Sequence, residues 1–150
     1  MRVEQEVVLP TTPSDVWRLL VEWERQVDWM RDADEIRVLT PRREGVGVRL
    51  SVKTRILGAQ VFVEKMEVRL WDPPRRLRMA HVGRVAGVGE WTLEPTGDGG
   101  TRFRWVETVS LGLPILGELL LQVYRPLMRR LMRASMEDLR GLLIATGPSH

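Results

Sequence analysis

Hydrophobic residues near the C-terminus recur with helical spacing and predict one long helix. From residue 113 to 144, apolar side chains return every three or four positions and cover about half of the helix circumference. Pro126 lies inside this segment, where it removes one hydrogen bond and clashes with the carbonyl of Gln122. We therefore expect a kink at Pro126, or a short separate helix before it, with the main helix starting near Tyr124.

The chain before this helix mostly alternates between apolar and polar residues, as antiparallel strands do. A first strand covers residues 3–9 and ends at Pro10, and two short helices follow, one capped by Thr12 or Ser14 and one over residues 24–30. Six further strands are predicted over residues 35–40, 46–56, 60–71, 77–82, 85–94 and 101–109. Their short connections require antiparallel pairing.

The order of these elements predicts an α+β fold. About seven strands form a curved antiparallel sheet around the long C-terminal helix, and the two short helices follow the first strand. A curved sheet that closes over one long helix can enclose a hollow. We expect any functional site to lie in that hollow.

Size and composition indicate one domain over residues 1–150 without a metal or an organic cofactor. The chain has no cysteine, which excludes disulfides and thiolate metal sites, and His81 is its only internal histidine. The first residues lack the apolar core of a signal peptide, and the longest apolar stretch is shorter than the roughly 20 residues that span a bilayer. We expect a cytoplasmic protein.

The basic residues are scattered along the chain. Only Lys53 and Lys65 are lysines among the 23 basic residues, and the arginines often occupy alternate positions, as on the solvated face of a strand. A nucleic-acid groove would show clustered basic residues interleaved with exposed aromatic residues. We expect no nucleic-acid partner, and the charge pattern indicates no particular oligomeric state.

Several short motifs, in this order along the chain, resemble one superfamily. They are Leu9-Pro10 before Val16-Trp17-Arg18-Leu19-Leu20, then Trp29, then Asp72-Pro73-Pro74 with Leu77, and finally Leu93-Glu94-Pro95 followed by Gly100-Thr101-Arg102. Together with the C-terminal helix they resemble the START-like, helix-grip (SRPBCC) superfamily that includes the plant Bet v 1 allergens. The chain is most similar to its bacterial polyketide cyclase/dehydrase and lipid-transport branch, over essentially its whole length.

The resemblance implies a deep apolar cavity between sheet and helix that holds a lipid, sterol, polyketide or other hydrophobic molecule. It does not imply catalysis, since the same fold hosts enzymes, carriers and binding modules.

Strand alternation and helix spacing select the residues that would line such a cavity. On the longest strand, Val68 and Leu70 continue the face of Met66, and methionine side chains adapt well to varied ligands. Each apolar residue on this face could equally be plain core. The predicted ligand-binding residues are Phe62, Glu64, Met66, Met79, His81, Trp91, Trp105, Glu107, Met128, Leu131, Met132 and Ser135.

Four of these residues are polar, and a buried polar group needs a partner or a function. Glu107 could be a desolvated acid, base or hydrogen-bond acceptor for a ligand, or it could pair with an arginine, cap the helix, or turn outward at a bulge. His81 could shuttle protons in cyclase or dehydratase chemistry, or it could be a hydrogen-bonded histidine near a strand end. Both alternatives stay open for each residue.

The segment 111–121 contains Gly112, Pro114 and Gly117 among apolar residues. It could form a lid at the cavity mouth that touches a membrane transiently during ligand exchange. Its apolar residues could instead pack against the first helices.

The leading functional hypothesis is binding or transport of a hydrophobic small molecule, and whether a reaction follows is left open. The first alternative is a polyketide cyclase, aromatase or dehydratase with Glu107 and His81 as acid/base groups. The second is a module that binds a protein or membrane partner and has a vestigial cavity.

Overall fold

The computed structural model describes residues 1–56, 58–83 and 85–146 and confirms the predicted α+β order. The strands are β1 (Arg2–Leu9), β2 (Ala33–Val38), β3 (Arg49–Ile56), β4 (Ala59–Asp72), β5 (Arg76–Val82), β6 (Ala86–Pro95) and β7 (Thr101–Ser110). The helices are α1 (Pro13–Leu20), a 3₁₀ helix (Trp23–Asp28) and α2 (Leu116–Thr146).

The seven strands form one antiparallel sheet in the order β1-β7-β6-β5-β4-β3-β2. Strands β2 to β7 follow one another as hairpins, and β1 closes the order by pairing with the last strand, so that Val3 lies opposite Glu107. The sheet curls into a half-barrel, and α2 crosses its concave face closest to β1. This arrangement confirms the helix-grip fold.

A bulge in β4 changes which of its residues face inward. The register shifts between Val68 and Leu70, so that Leu70 lies opposite Arg78 and Trp71 lies opposite Leu77. The prediction that Leu70 continues the inner face is therefore wrong, because one extra residue reverses the alternation. Trp71 turns inward instead and lies 5.1 Å from the ring of Trp17, edge to face.

Helix α2 is continuous from Leu116 to Thr146, with Pro126 inside it. The prediction that the main helix starts near Tyr124 is therefore wrong. Proline removes only one hydrogen bond, and the carbonyl that loses its partner belongs to Gln122. Both Pro126 and Gln122 are exposed, so water can satisfy that carbonyl while the turns on either side keep their own bonds.

The short helices fill one end of the half-barrel with tightly packed side chains. Thr12 caps α1 by accepting a bond from the Asp15 N–H at 3.4 Å, and Val16 and Leu20 are buried beneath it. Trp23 is fully buried and donates its indole N–H to the Arg43 carbonyl at 2.8 Å. This end of the fold is ordinary hydrophobic core.

A polar clamp ties the start of β2 to α2. Ser135 is buried, accepts a hydrogen bond from the Arg31 N–H at 2.9 Å, and donates to the Leu131 carbonyl at 2.7 Å. The Arg31 guanidinium also forms a two-pronged ion pair with Asp138 on the next turn of α2. The clamp holds the residue that follows, Asp32, beside the concave face.

Replacing Ser135 tests this clamp. Ser135→Ala leaves the Arg31 N–H without its acceptor, and we expect the free energy of unfolding to fall by about 1–3 kcal/mol. Ser110→Ala, at an exposed strand end, is the matched control and should change it by less than about 0.5 kcal/mol. Chemical denaturation measures both, and equal stabilities of the two variants would contradict the clamp.

Candidate ligand-binding site

A cavity of about 320 Å³ lies between α2 and the concave face of the sheet. Strands β3 to β7 supply one wall and α2 supplies the other. Most of the lining side chains are aliphatic, aromatic or methionine, and the volume falls in the range typical of small-molecule sites. The packed end around Trp23 stops short of this space.

Every residue predicted to bind a ligand, from Phe62 in β4 to Ser135 in α2, lines this cavity. The strand register explains the convergence, since His81 lies opposite Met66, and Trp91 opposite Trp105, in neighbouring strands. Whether these residues bind a ligand stays a prediction.

Glu107 projects into the cavity and is buried among apolar side chains. It accepts a hydrogen bond from the Trp105 indole N–H at 2.9 Å, and its second oxygen lies 3.4 Å from Nε2 of His81. The pairing of β7 with β6 is regular through Glu107, so no bulge turns this side chain outward. Its partners are an indole and an imidazole, rather than the arginine or helix end that were the structural alternatives.

Gly89 makes room for that carboxylate. It lies directly opposite Glu107 on β6, and a Cβ atom at this position would be 2.7 Å from Oε1 of Glu107. No side chain larger than hydrogen fits unless the carboxylate moves. The sequence analysis missed Gly89, although a glycine on the inward face of a strand is itself a sign of close approach.

His81 lies between two carboxylates. Its Nε2 atom is 3.4 Å from Glu107, and its Nδ1 atom is 3.4 Å from Glu64. Nδ1 is buried and makes no aligned hydrogen bond within the described residues, so its contact with Glu64 is an attraction between charges. Burial alone lowers the pKa of His81, but the bond to Glu107 and the two negative charges outweigh it and raise the pKa to about 10.

Asp32 is the acidic residue that the sequence analysis missed. It precedes β2, lines the cavity, and has no side-chain partner in the described part of the chain. Burial, with the charges of Glu107 and Glu64, raises the pKa of Asp32 to about 6. A loop residue has no alternation from which its direction could be predicted, so only the acidic side chain itself was a signal.

Tyr124 is a residue of α2 whose hydroxyl is influenced by the same acidic residues. It lines the cavity, and burial together with the charges of Asp32 and Glu64 raises the pKa of its hydroxyl to about 12. The hydroxyl therefore stays protonated and available as a hydrogen-bond donor at neutral pH.

Two tryptophans form an aromatic wall beside the acidic residues Asp32, Glu64 and Glu107. The rings of Trp91 and Trp105 both line the cavity and stand perpendicular to each other, with centroids 6.0 Å apart. Behind them, the fully buried Trp29 lies 5.7 Å from Trp91 and 6.3 Å from Trp105. The backing ring holds both wall residues in place.

The segment before and at the start of α2 borders the cavity and is strongly exposed. Leu120 lines the cavity yet is half exposed, and Ile115 and Val123 are 77% and 82% exposed. The alternative that the apolar residues of segment 111–121 pack against the first helices is therefore wrong for the exposed members of that segment. We call the exposed group the mouth patch, and its members are Leu113, Ile115, Leu116, Leu119, Leu120 and Val123.

In the part of the chain that the structure describes, no helix combines the length and the apolar character that crossing a bilayer requires. The same residues contain no group of three or more acidic or histidine side chains arranged to hold a metal ion. Asp32, Glu64, His81 and Glu107 thus form a cluster of charges without metal-site geometry.

The fold is that of a helix-grip protein, and comparison with known families agrees. The chain belongs to the family described as polyketide cyclase/dehydrase and lipid transport, whose model matches residues 1–143. The resemblance seen in the sequence is thereby confirmed. None of the curated proteins matches the chain.

Solved structures share the fold over almost the entire chain. TTHA0849 from Thermus thermophilus is 26% identical with a TM-score of 0.79, and the match covers 98% of this chain and 99% of that one. A START superfamily protein from Mycobacterium smegmatis is 15% identical with a TM-score of 0.76, over 97% and 99% of the two chains. The di-domain ARO/CYC protein BexL, from the BE-7585A biosynthetic pathway, is 14% identical with a TM-score of 0.71, over 93% of this chain and 46% of that one.

Two glycine-to-alanine substitutions test whether Gly89 makes room for the Glu107 carboxylate. Gly89→Ala forces the carboxylate away from the Trp105 indole, and we expect a loss of about 1–3 kcal/mol in unfolding free energy together with a lower pKa of His81. Gly141→Ala, in α2 with open space around it, should instead add about 0.5–1 kcal/mol. Denaturation and NMR titration measure these effects, and a Gly89→Ala protein with unchanged stability and His81 pKa would refute the arrangement.

The pKa of His81 also predicts how stability depends on pH. Because the pKa rises from 6.5 in the unfolded chain to about 10 in the fold, protonated His81 stabilises the protein fully below pH 6.5 and progressively less as the pH approaches 10. Relative to His81→Gln, the wild-type free energy of unfolding should therefore fall across this window. Parallel pH profiles of the two proteins would show that the pKa is not raised.

Proposed function

We propose that this protein binds a hydrophobic small molecule in the cavity between the sheet and α2. The observation that carries the proposal is a space of about 320 Å³ with a mainly apolar wall and a few convergent polar groups. Protein interiors leave few voids larger than a water molecule, whereas ligand sites combine this size with this kind of lining. Family membership and fold support the same reading.

The contrast between the two ends of the fold supports a binding space over ordinary core. Val16, Leu20 and Trp23 are fully buried, whereas the wall residues Phe62, Met66, Met128 and Leu131 keep partial exposure. Long, unbranched methionine side chains can adapt to a guest, which suits an exchangeable ligand.

The mouth patch supports exchange of that ligand at a membrane. Large apolar surfaces on soluble proteins mark interaction sites, and this one adjoins the cavity through Leu120. Farther along α2, the exposed Arg129, Arg130 and Arg133 line a surface groove. An apolar surface followed by arginines complements the acyl chains and head groups of an anionic bilayer. We infer transient contact with such a surface.

Acid/base catalysis on a polyketide-like substrate is the second candidate function, and the cluster around His81 favours it. With a pKa near 10, His81 stays protonated at neutral pH and has no lone pair with which to act as a base. Asp32 titrates near pH 6, closest to the range in which general acids and bases work best. In an enzyme, Asp32 would transfer the proton, while the charges of His81 and Glu107 would determine the electrostatic potential at Asp32.

A cavity-filling variant tests ligand binding. Leu131→Trp places a large ring in the wall, and we expect at least a tenfold weaker affinity for the neutral fluorescent probe N-phenyl-1-naphthylamine. Ile144→Trp, on the exposed end of the same helix, should bind the probe as the wild type does. No binding by the wild type, and no co-purified molecule in its native mass spectrum, would favour a partner-binding module instead.

Chemical analysis of the ligand after incubation with the protein distinguishes a carrier from an enzyme. A carrier returns its co-purified or added ligand chemically unchanged, and Asp32→Asn then alters affinity alone. An enzyme converts its substrate, and Asp32→Asn abolishes turnover while N-phenyl-1-naphthylamine still binds.

Vesicle binding tests the mouth patch. Val123→Asp introduces a charge at its most exposed position, and we expect a several-fold loss of co-sedimentation with mixed phosphatidylcholine–phosphatidylglycerol vesicles. Ile144→Asp makes the same change at an exposed isoleucine near the far end of α2 and should bind vesicles normally. Equal losses in both variants, or no binding by the wild type, would exclude this membrane contact.

A further inference from the structure

The charges on the cavity wall are strongly unbalanced toward negative. Asp32, Glu64 and Glu107 all line the cavity, and they come from three separate parts of the chain. The protein has 23 lysines and arginines, yet none of those in the described residues lines this cavity. The protein as a whole carries a net positive charge, whereas the ionisable side chains that line its cavity carry a net negative charge.

The positive groups at the cavity do not cancel this charge. His81 supplies one positive charge against three carboxylates, which leaves two negative charges when all four groups are ionised. The amino group of Met1 is also near, but it donates to the Val109 carbonyl at 3.0 Å and lies 3.9 Å from Glu118 at the start of α2. It is therefore paired with Glu118, which lies outside the cluster.

The titrating groups around the cavity respond to the same field. The pKa values of Asp32, His81 and Tyr124 are all raised, and in each case a carboxylate of the cluster contributes. For Asp32 and Tyr124 burial is the largest cause and the carboxylate charges add to it, whereas the pKa of His81 rises against burial because of Glu107 and Glu64. Isolated charges in an apolar space are costly unless a partner compensates them.

The aromatic wall offers the second kind of contact that favours a positive charge. Trp91 and Trp105 both line the cavity and stand at right angles to each other, so a bound group lies beside two differently oriented indole rings. Indole faces attract cations, and desolvation strengthens that attraction. Carboxylates beside tryptophan rings form the usual environment of a bound ammonium group.

We propose that the cavity selects a hydrophobic molecule with a cationic nitrogen head group, an amphipathic amine or quaternary ammonium. The head group lies among Asp32, Glu64 and Glu107 against the aromatic wall, and the apolar tail occupies the methionine-rich part of the cavity. This inference rests on the proposed binding function and names the chemical class of the ligand. It also distinguishes the site from one for fatty acids or other anions, which the carboxylates would repel.

Three octyl probes that differ only in head group test the selection. Octyltrimethylammonium, octanol and octyl sulfate compete with N-phenyl-1-naphthylamine for the wild-type cavity. We expect the cation to bind at least tenfold more tightly than the alcohol, and the sulfate to bind most weakly. If the alcohol binds as well as the cation, the inference fails while the binding function stands. If none of the probes binds, both fail.

Substitutions locate the effect. Asp32→Asn and Glu107→Gln should each reduce the preference for the cation over the alcohol several-fold, while N-phenyl-1-naphthylamine binding shows that the variants are folded. Glu137→Gln, at an exposed position on α2, is the matched control and should leave the preference unchanged. A preference that survives in both cavity variants would place the cation elsewhere on the protein.

The pH gives an independent readout. Because Asp32 ionises near pH 6, the affinity for octyltrimethylammonium should rise as the pH increases through that value, and the affinity for octanol should not. The probe carries a permanent charge, so this change reports on the protein. The groups that share the field of Asp32 are Glu64, His81, Glu107 and Tyr124. A flat profile for the cation would oppose a role for Asp32.

Discussion

A carboxylate held inside an apolar half-barrel is the constraint on which the arrangement of the site depends. Glu107 keeps its place because Trp105 donates to it, His81 lies beside it, and Gly89 leaves space across the sheet. Each of these contacts also fixes a wall residue, so the aromatic wall and the imidazole are positioned by the same group. The acid therefore organises one side of the cavity as well as contributing charge.

The cavity exists because the two ends of the half-barrel are filled differently. The short helices and their tryptophans close one end, with Trp71 turned inward by the β4 bulge to join them. At the other end α2 crosses near β1, and the clamp from Ser135 to Arg31 sets its position against the start of β2. The space that remains carries Asp32 on one border and the mouth patch on another.

The charges of this chain are separated by location. Arginines of the sheet form ion pairs such as Arg78 with Glu90 at 2.8 Å, and further arginines lie on the exposed side of α2. Inside, the three carboxylates of Asp32, Glu64 and Glu107 outnumber the single imidazole of His81. This separation suits both proposed contacts. A positive exterior attracts an anionic membrane, and a negative cavity wall attracts a cationic ligand.

The sequence by itself determined the element order, a curved sheet around one long helix and twelve residues of the cavity wall between Phe62 and Ser135, because period-two and period-3.6 patterns are local properties of the chain. The tertiary structure decided what local patterns do not encode. The β4 bulge reversed Leu70, the exposure of Pro126 let α2 continue through it, and Asp32 joined the cluster from a loop without periodicity. Burial and the proximity of other charged groups, which set the pKa values and the net charge of the cavity wall, arise only when distant segments meet in space.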